Sequence, residues 1–256
     1  MRKEAMSEFA VLHKTDTGDY LRIDSLDLTL RICKGGYIPR SGLYLAAHLS
    51  QRGVQGEVLD VGTGDTGLLA YCMAKLNARR VMACDINPGT IECARTAGDN
   101  QAIDWLISDV FANIPKNYRF DLIVSNPPQL PMPIQGALHD YGGPGGRATI
   151  LRLISGARRF LKDSGSLVML CFDFLGVDER WSATPSLEEI AVDHGFTLKV
   201  VAQHEKSVKP GGQTEKHLPW IKAVYPLYQF KEDKENNPVH LIQIVELKWQ
   251  KKQGAF

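Results

Sequence analysis

Four apolar runs in the first half of the chain are each followed by a side chain that accepts hydrogen bonds: Asp60, Asp85, Asp109 and Asn126. Short apolar runs of this kind predict the buried strands of a parallel sheet. The carboxyl ends of parallel strands line the ligand crevice of open α/β sheets, so we expect these side chains to share one site. Their oxygens would accept hydrogen bonds from hydroxyl, amine or ammonium groups of a ligand.

A glycine-rich turn, Asp60-Val61-Gly62-Thr63-Gly64-Asp65-Thr66-Gly67, follows the first run. Gly62 and Gly64 allow the backbone to approach a ligand closely, and the helix predicted next presents unpaired N–H groups to an anion. This spacing also fits the pyrophosphate loop of nicotinamide oxidoreductases, which we keep as an alternative. Asp60 favours S-adenosylmethionine, because a carboxylate repels pyrophosphate but attracts ammonium and sulfonium charges.

The second and third predicted strands end in acids that suit an adenosine. Asp85 follows the run Arg80–Cys84 and can accept hydrogen bonds from both ribose hydroxyls. Asp109 can accept from the exocyclic amine of adenine, with Val110 or Phe111 against the ring. A capping role for Asp109 in the turn that follows is the alternative.

The fourth predicted strand runs into Asn126-Pro127-Pro128-Gln129. Because proline lacks an N–H and stiffens the turn, we expect the Asn126 side-chain oxygen and the Pro127 carbonyl to be fixed acceptors. Two acceptors suit an –NH₂ group, since binding both hydrogens directs the nitrogen lone pair at an electrophile. Such positioning is worth up to ~7–11 kcal/mol in good intramolecular models. A plain Asn-Pro turn is the alternative.

Composition narrows the class of protein. The 256 residues are 44% hydrophobic and carry a net charge of +1, which predicts a soluble globular protein and permits RNA binding without indicating it. Five cysteines without a CxxC pair predict reduced thiols in a cytoplasmic protein. No apolar run approaches the ~20 residues of a membrane span. The histidines lack metal-ligand spacing, so no metal is expected.

Strand and helix patterns alternate along the chain and predict an α/β fold. We divide the chain into an extension with short strands, residues 1–40, and one domain, residues 41–256. Late in that domain we predict strands at 196–203 and 239–249. The segment between them, 204–238, is rich in proline, glycine and aromatic residues and is interpreted as a substrate lid, with a mobile surface loop as the alternative.

Together these motifs resemble the class I S-adenosylmethionine-dependent methyltransferases of the small methyltransferase domain group, close to the N5-glutamine methyltransferases of protein release factors. The resemblance covers roughly residues 36–172. It rests on Ile38-Pro39-Arg40, Leu59–Gly64, Asp85, Ser108–Phe111, Asn126–Pro128 and Asp140-Tyr141-Gly142-Gly143-Pro144-Gly145-Gly146-Arg147. We therefore expect a Rossmann-like sheet of seven strands in the order 3-2-1-4-5-7-6, with helices on both faces.

The resemblance implies S-adenosyl-L-methionine as the cofactor and an amine or amide, held by the Asn-Pro-Pro turn, as the methyl acceptor. The predicted cofactor-binding residues are Arg40, Asp60, Gly62, Thr63, Gly64, Asp85, Ile86, Asp109, Val110 and Asn126. The predicted catalytic residues are Asn126, Pro127 and Gln129.

Three residues depart from the family pattern: Thr66, Gly145 and Gln129. They motivate a further alternative, a non-catalytic binding module that has kept the fold and lost the methyltransferase activity. Gln129 matters most, because an aromatic residue normally stacks on a planar target at this point. Glutamine can instead exchange hydrogen bonds with a polar ligand. We therefore predict a small-molecule substrate ahead of protein glutamine, with an RNA base third.

Overall fold

A computed structural model of the protein describes residues 2–5, 9–38, 40–99 and 102–250. Pro39, within one predicted motif, lies outside the described residues. The chain divides into two compact units. The first comprises Met1–Asn126 and Arg159–Gly165, and the second comprises Pro127–Arg158 and Ser166–Phe256.

The first unit begins with a four-stranded antiparallel sheet. Its strands are the short strands expected in the extension, and they pair in chain order: β1 Arg2–Ala5, β2 Val11–Lys14, β3 Tyr20–Ile23 and β4 Leu28–Arg31. Leu12, Leu21 and Leu30 face one another across β2, β3 and β4 and are fully buried. This leucine row gives the extension an apolar face of its own.

Four parallel strands follow in the first unit. They are β5 Glu57–Val61, β6 Arg80–Asp85, β7 Ile103–Ile107 and β8 Phe120–Ser125, in the order β8-β5-β6-β7. The helices are α1 Gly42–Arg52, α2 Leu68–Lys75 and α3 Pro88–Ala97. Since the strands are parallel, their carboxyl ends lie at one edge, where the predicted cofactor site was expected.

The second unit is built on long antiparallel strands. Its elements are α4 Ala148–Ala157, β9 Leu161–Phe172, of which Ser166 onward belongs to this unit, α5 Leu187–Asp193, β10 Phe196–Ser207, α6 Gln213–Lys216, α7 Leu218–Val224, β11 Lys231–Glu232 and β12 Pro238–Trp249. β12 pairs antiparallel with β9, β10 and β11. The predicted α/β class is confirmed, with both parallel and antiparallel strands. The order across all seven strands and the division at residue 40 stay predictions.

Two cysteines differ from expectation. Cys33 and Cys93 form a disulfide with their Cα atoms 5.9 Å apart, so the prediction of reduced thiols is wrong for this pair. The loop after β4 passes α3 closely enough to bring two cysteines distant in sequence together. Cys72, Cys84 and Cys171 are free and buried. Within the described ranges, no helix has the length and apolar character that a membrane span requires.

Candidate active site

The glycine turn of the first unit is anchored to the end of β6. The N–H groups of Gly62 and Thr63 both donate to the Cys84 carbonyl, at 2.8 and 3.0 Å. Gly62 and Gly64 have φ angles of +76° and +68°, which favour glycine. Among the described residues, no atom beyond their chain neighbours lies within 4 Å of where a Cβ would stand at either position. The turn therefore leaves room for a ligand against its backbone.

Asp60 lies fully buried beneath this turn. Its Oδ2 accepts a hydrogen bond of 2.6 Å from the Thr63 hydroxyl, whereas its Oδ1 has no hydrogen-bond partner among the described residues. Burial raises the pKa of Asp60 to about 7, and the Thr63 hydroxyl and the Ala70 amide offset only part of that shift. The Thr66 hydroxyl is also buried without a described partner. Unsatisfied polar atoms beside open backbone fit a ligand with ammonium or hydroxyl groups.

At the end of β6, Asp85 binds the backbone on both sides of the site. Its Oδ2 accepts from the Gly64 N–H at 3.2 Å, and its Oδ1 accepts from the Asn87 N–H at 3.0 Å. Burial raises the pKa of Asp85, and the nearby charge of Asp65 adds to the rise. Ile86, the next residue, is an apolar side chain with 53% of its surface exposed. An acid followed by an exposed apolar side chain suits a ribose and its base.

After β7 the backbone is held in an unusual conformation. Val110 has φ +53° although its side chain is β-branched, and only 8% of its surface is exposed. Its carbonyl accepts from the Ser108 hydroxyl at 3.0 Å and from the Cys84 thiol at 3.6 Å. Backbone strain of this kind concentrates at ligand sites, which supports the prediction for Val110. Ser108 was given no role at the site from the sequence, and the only sequence feature that points to it is its position next to Asp109.

Asp65 is a second residue that sequence reasoning did not assign. Its Oδ2 accepts from the Tyr37 N–H at 2.9 Å, and its Oδ1 accepts from the Thr90 hydroxyl at 2.8 Å. It therefore joins the segment before α1 to the first turn of α3, across the glycine turn. Arg40 is exposed at the start of α1, and its place in the cofactor site stays a prediction.

Asn126 ends the first unit, directly after β8. Its side chain is half-buried, and no residue that the structure describes is hydrogen-bonded to it. The preceding Ser125 is fully buried, and its hydroxyl donates to the Val61 carbonyl at 2.7 Å, which fixes the end of β8 against β5. The Asn126 carboxamide therefore leaves a rigid strand end with its hydrogen-bonding capacity unused.

In the second unit, Gln129 does not have the predicted orientation. Its surface is only 4% exposed. Its Nε2 donates to the carbonyls of Pro127 and Leu170, at 3.2 and 3.0 Å, and its Oε1 accepts from the Phe172 N–H at 2.7 Å. Both amide hydrogens are used within the unit, so neither is left to donate to a substrate as predicted.

The residues 140–147 pack on this turn. The Gly142 N–H donates to the Leu130 carbonyl at 3.0 Å, and a Cβ at Gly146 would lie 2.6 Å from the Gln129 carbonyl oxygen. We call residues 212–225, with the helices α6 and α7, the strap. The strap docks here through Trp220 Nε1, which donates to the Pro144 carbonyl at 2.9 Å, and the Tyr225 hydroxyl, which donates to the Gly145 carbonyl at 2.5 Å.

The profile of the methyltransferase small domain family matches residues 40–199. The chain belongs to this family. It is an S-adenosylmethionine-dependent methyltransferase, which confirms the predicted enzyme class and cofactor and decides against the nicotinamide alternative. The buried acid, open glycines and unsatisfied oxygens of the first unit fit that cofactor.

Two relatives illustrate the similarity. The enzyme is 32% identical over 199 residues to the release factor glutamine methyltransferase of Mycolicibacterium smegmatis, covering 72% of this chain and 68% of the relative. It is 31% identical over 180 residues to the ribosomal RNA small subunit methyltransferase C of Klebsiella pneumoniae, covering 66% of this chain and 47% of that one. In fold, it matches a crystal structure of a methyltransferase from Pyrococcus furiosus with a TM-score of 0.52 and 17% identity, covering 86% and 90% of the two chains.

The pH dependence of cofactor affinity tests the assignment of Asp60. With a pKa of about 7, this carboxyl is mostly protonated near pH 5.5 and must lose its proton to pair with a cationic group. We expect the affinity for S-adenosylmethionine to rise up to about tenfold per pH unit up to about pH 7 and then to level off. In the Asp60→Asn variant, isothermal titration calorimetry should find weaker binding without this slope.

The stability of the ligand-free enzyme gives a control for this experiment. Because the folded-state pKa of Asp60 is raised from 3.8, its contribution to stability is complete below that value and is lost as the pH rises through about 7. The melting temperature of Asp60→Asn should therefore rise relative to that of the wild type between about pH 5 and about pH 8. An affinity slope that persists in Asp60→Asn would assign the proton to another group, such as Asp85.

Proposed function

We propose that the enzyme methylates a nitrogen whose two hydrogens are bound by the Asn126 side-chain oxygen and the Pro127 carbonyl. The observation that carries this proposal is the Asn126 carboxamide, which leaves a rigid strand end half-buried and unpaired among the described residues. Pro127 follows through a single peptide bond, so the two acceptors are adjacent along the chain.

The role of these acceptors is orientation. S-adenosylmethionine supplies the methyl group as an electrophile on a good leaving group. Asn126 and Pro127 hold the N–H bonds so that the nitrogen lone pair is directed away from both oxygens and is available to form the new N–C bond. They also stabilise the positive charge that develops on nitrogen until a proton leaves to solvent.

The acceptor that we propose is a carboxamide side chain of a polypeptide. The support comes from the Mycolicibacterium smegmatis relative, whose name specifies a release factor glutamine. The prediction of a small-molecule acceptor depended on a Gln129 side chain that faces the substrate. That side chain instead makes its hydrogen bonds to Pro127, Leu170 and Phe172 of the second unit. An RNA base amine is the second candidate, because the Klebsiella pneumoniae relative is named for ribosomal RNA. The net charge of +1 does not favour it.

Methyl transfer from labelled S-adenosylmethionine tests this function directly. The enzyme is incubated with separated protein, RNA and metabolite fractions, and we expect label in the protein fraction. Hydrolysis of the labelled protein should then release N-methylated amine rather than a labelled oxygen or carbon product. Label confined to RNA or to metabolites would contradict the polypeptide acceptor, and label on oxygen or carbon would contradict the role of Asn126 and Pro127.

The strap gives a prediction for acceptor binding, in line with the predicted lid. Trp220 holds it on Pro144, between Gly142 and Gly146, which pack against Gln129. Trp220→Phe removes the indole N–H and keeps an aromatic ring, so we expect the Michaelis constant for the acceptor to rise about 3- to 10-fold, as for the loss of one hydrogen bond. The affinity for S-adenosylmethionine should stay within about twofold of wild type.

Trp181 offers a matched control. It is also half-buried in the second unit, and its Nε1 donates to the Asp173 carbonyl at 2.9 Å. Trp181→Phe should lower the melting temperature by a similar amount while leaving the Michaelis constant unchanged. Equal effects of both variants would show that the strap contributes only to stability.

A further inference from the structure

Gln129 makes the same hydrogen bonds to a strand that a peptide group would make. Its Oε1 accepts from the Phe172 N–H at 2.7 Å and its Nε2 donates to the Leu170 carbonyl at 3.0 Å, two residues apart on β9. Alternate residues of a strand direct their backbone groups to the same edge, so the carboxamide binds β9 as an additional strand residue would. This pairing fixes the side chain against β9.

The second hydrogen of the Gln129 amide is donated to the Pro127 carbonyl at 3.2 Å. A carbonyl oxygen has two lone pairs, so one remains for another donor. The backbone of Gln129 is fixed as well, because Gly142 and Gly146 approach it so closely that a Cβ at either would lie 2.6 Å from its Cα or its carbonyl oxygen. The direction of the remaining Pro127 lone pair is therefore set by β9 through Gln129.

We infer that Gln129 is a positioning residue, which holds the Pro127 carbonyl so that its free lone pair accepts one N–H of the methyl acceptor. This inference rests on the proposed function, in which Pro127 binds the acceptor. An aromatic side chain at 129 has no pair of donors to bridge Pro127 and Leu170. The acceptor is thus oriented by hydrogen bonds to Asn126 and Pro127, without a ring stacked from position 129.

Gln129→Met tests the inference, because methionine keeps the length of the side chain and removes both donors. Gln243→Met is the matched control, since Gln243 is also a buried glutamine of the second unit, on β12. Turnover is measured with the fraction that accepts label from the wild type. We expect Gln129→Met to lower kcat about 10- to 100-fold, as a displaced acceptor does, with cofactor affinity within about twofold of wild type. Gln243→Met should leave kcat within about twofold.

A spectroscopic readout separates positioning from stability and needs no turnover. Pro127-Pro128 is the only proline pair in the sequence, so proline labelled with ¹³C at the carbonyl and with ¹⁵N gives one directly bonded ¹³C–¹⁵N pair. The Pro127 carbonyl resonance should move upfield in Gln129→Met, where the amide donor is lost, and stay in place in Gln243→Met.

The outcomes distinguish this inference from the proposed function. An unmoved Pro127 resonance in folded Gln129→Met, or equal loss of kcat in both variants, would overturn the positioning role. A moved resonance together with methylation on oxygen or carbon would overturn the proposed function and leave the contact between Gln129 and Pro127 standing.

Discussion

Asn126→Ala is expected to lower kcat by about 10²- to 10³-fold, the usual cost of removing one preorganised group from a polar site. The physical reason is that only one of the two acceptors for the –NH₂ hydrogens would remain, so the lone pair would no longer be directed. The affinity for S-adenosylmethionine should fall by no more than about threefold, because Asp60 and Asp85, the proposed charged partners of the cofactor, are unchanged. Single-turnover kinetics and calorimetry measure the two quantities separately.

The neighbouring Ser125 supplies the control for this prediction. Its buried hydroxyl fixes the end of β8 to the Val61 carbonyl, so Ser125→Ala should cost about 1–3 kcal/mol of stability and change kcat less than Asn126→Ala does. If Asn126→Ala weakened cofactor binding as much as it slowed turnover, Asn126 would belong to the cofactor site alone. The role of the Asn-Pro-Pro turn in binding the acceptor would then be lost.

The parallel strands of the first unit could be predicted because each is specified locally. Strand β8 ends at Ser125, directly before Asn126, as predicted, and β5 ends at Val61, one residue beyond Asp60. Asp60 and Asp85 could be placed for the same reason, since the end of a parallel strand fixes which edge its last residues occupy. These inferences needed no information from distant parts of the chain.

The errors concern contacts between distant residues. The hydrogen-bonding capacity of Gln129 follows from its chemistry, but its direction depends on β9, more than 40 residues away in sequence. Likewise, β10 continues to Ser207 because β12 pairs with polar residues that show no apolar signal, so residues 204–207 of the segment predicted as a lid belong to a strand. The disulfide between Cys33 and Cys93 has the same origin. Neither the chemistry of a residue nor the hydrophobic period of its segment specifies a contact partner that lies far away in the sequence.

Asp85→Ala should weaken the binding of both S-adenosylmethionine and S-adenosylhomocysteine by about 100-fold. A carboxylate that accepts from two ribose hydroxyls makes charge-assisted hydrogen bonds, each worth about 1.5–3 kcal/mol. The variant also removes the acceptor of the Gly64 and Asn87 N–H groups, which loosens the glycine turn. Because the ribose is common to both ligands, the two affinities should fall by the same factor. Calorimetry of each ligand checks this.

The hydroxyl contact can be separated from the effect on the turn by changing the ligand. Methylthioadenosine and its 2′-deoxy form differ by one hydroxyl, and wild type should prefer the former by about tenfold. In Asp85→Ala this preference should disappear, since the proposed acceptor of the hydroxyl hydrogen bond is gone. Asp65→Ala is the matched control, because it removes a carboxylate that also holds the site together, through Tyr37 and Thr90. Asp65→Ala should weaken the binding of both ligands and keep the preference for the hydroxyl. If the preference also survived in Asp85→Ala, the role of Asp85 would be limited to anchoring the glycine turn.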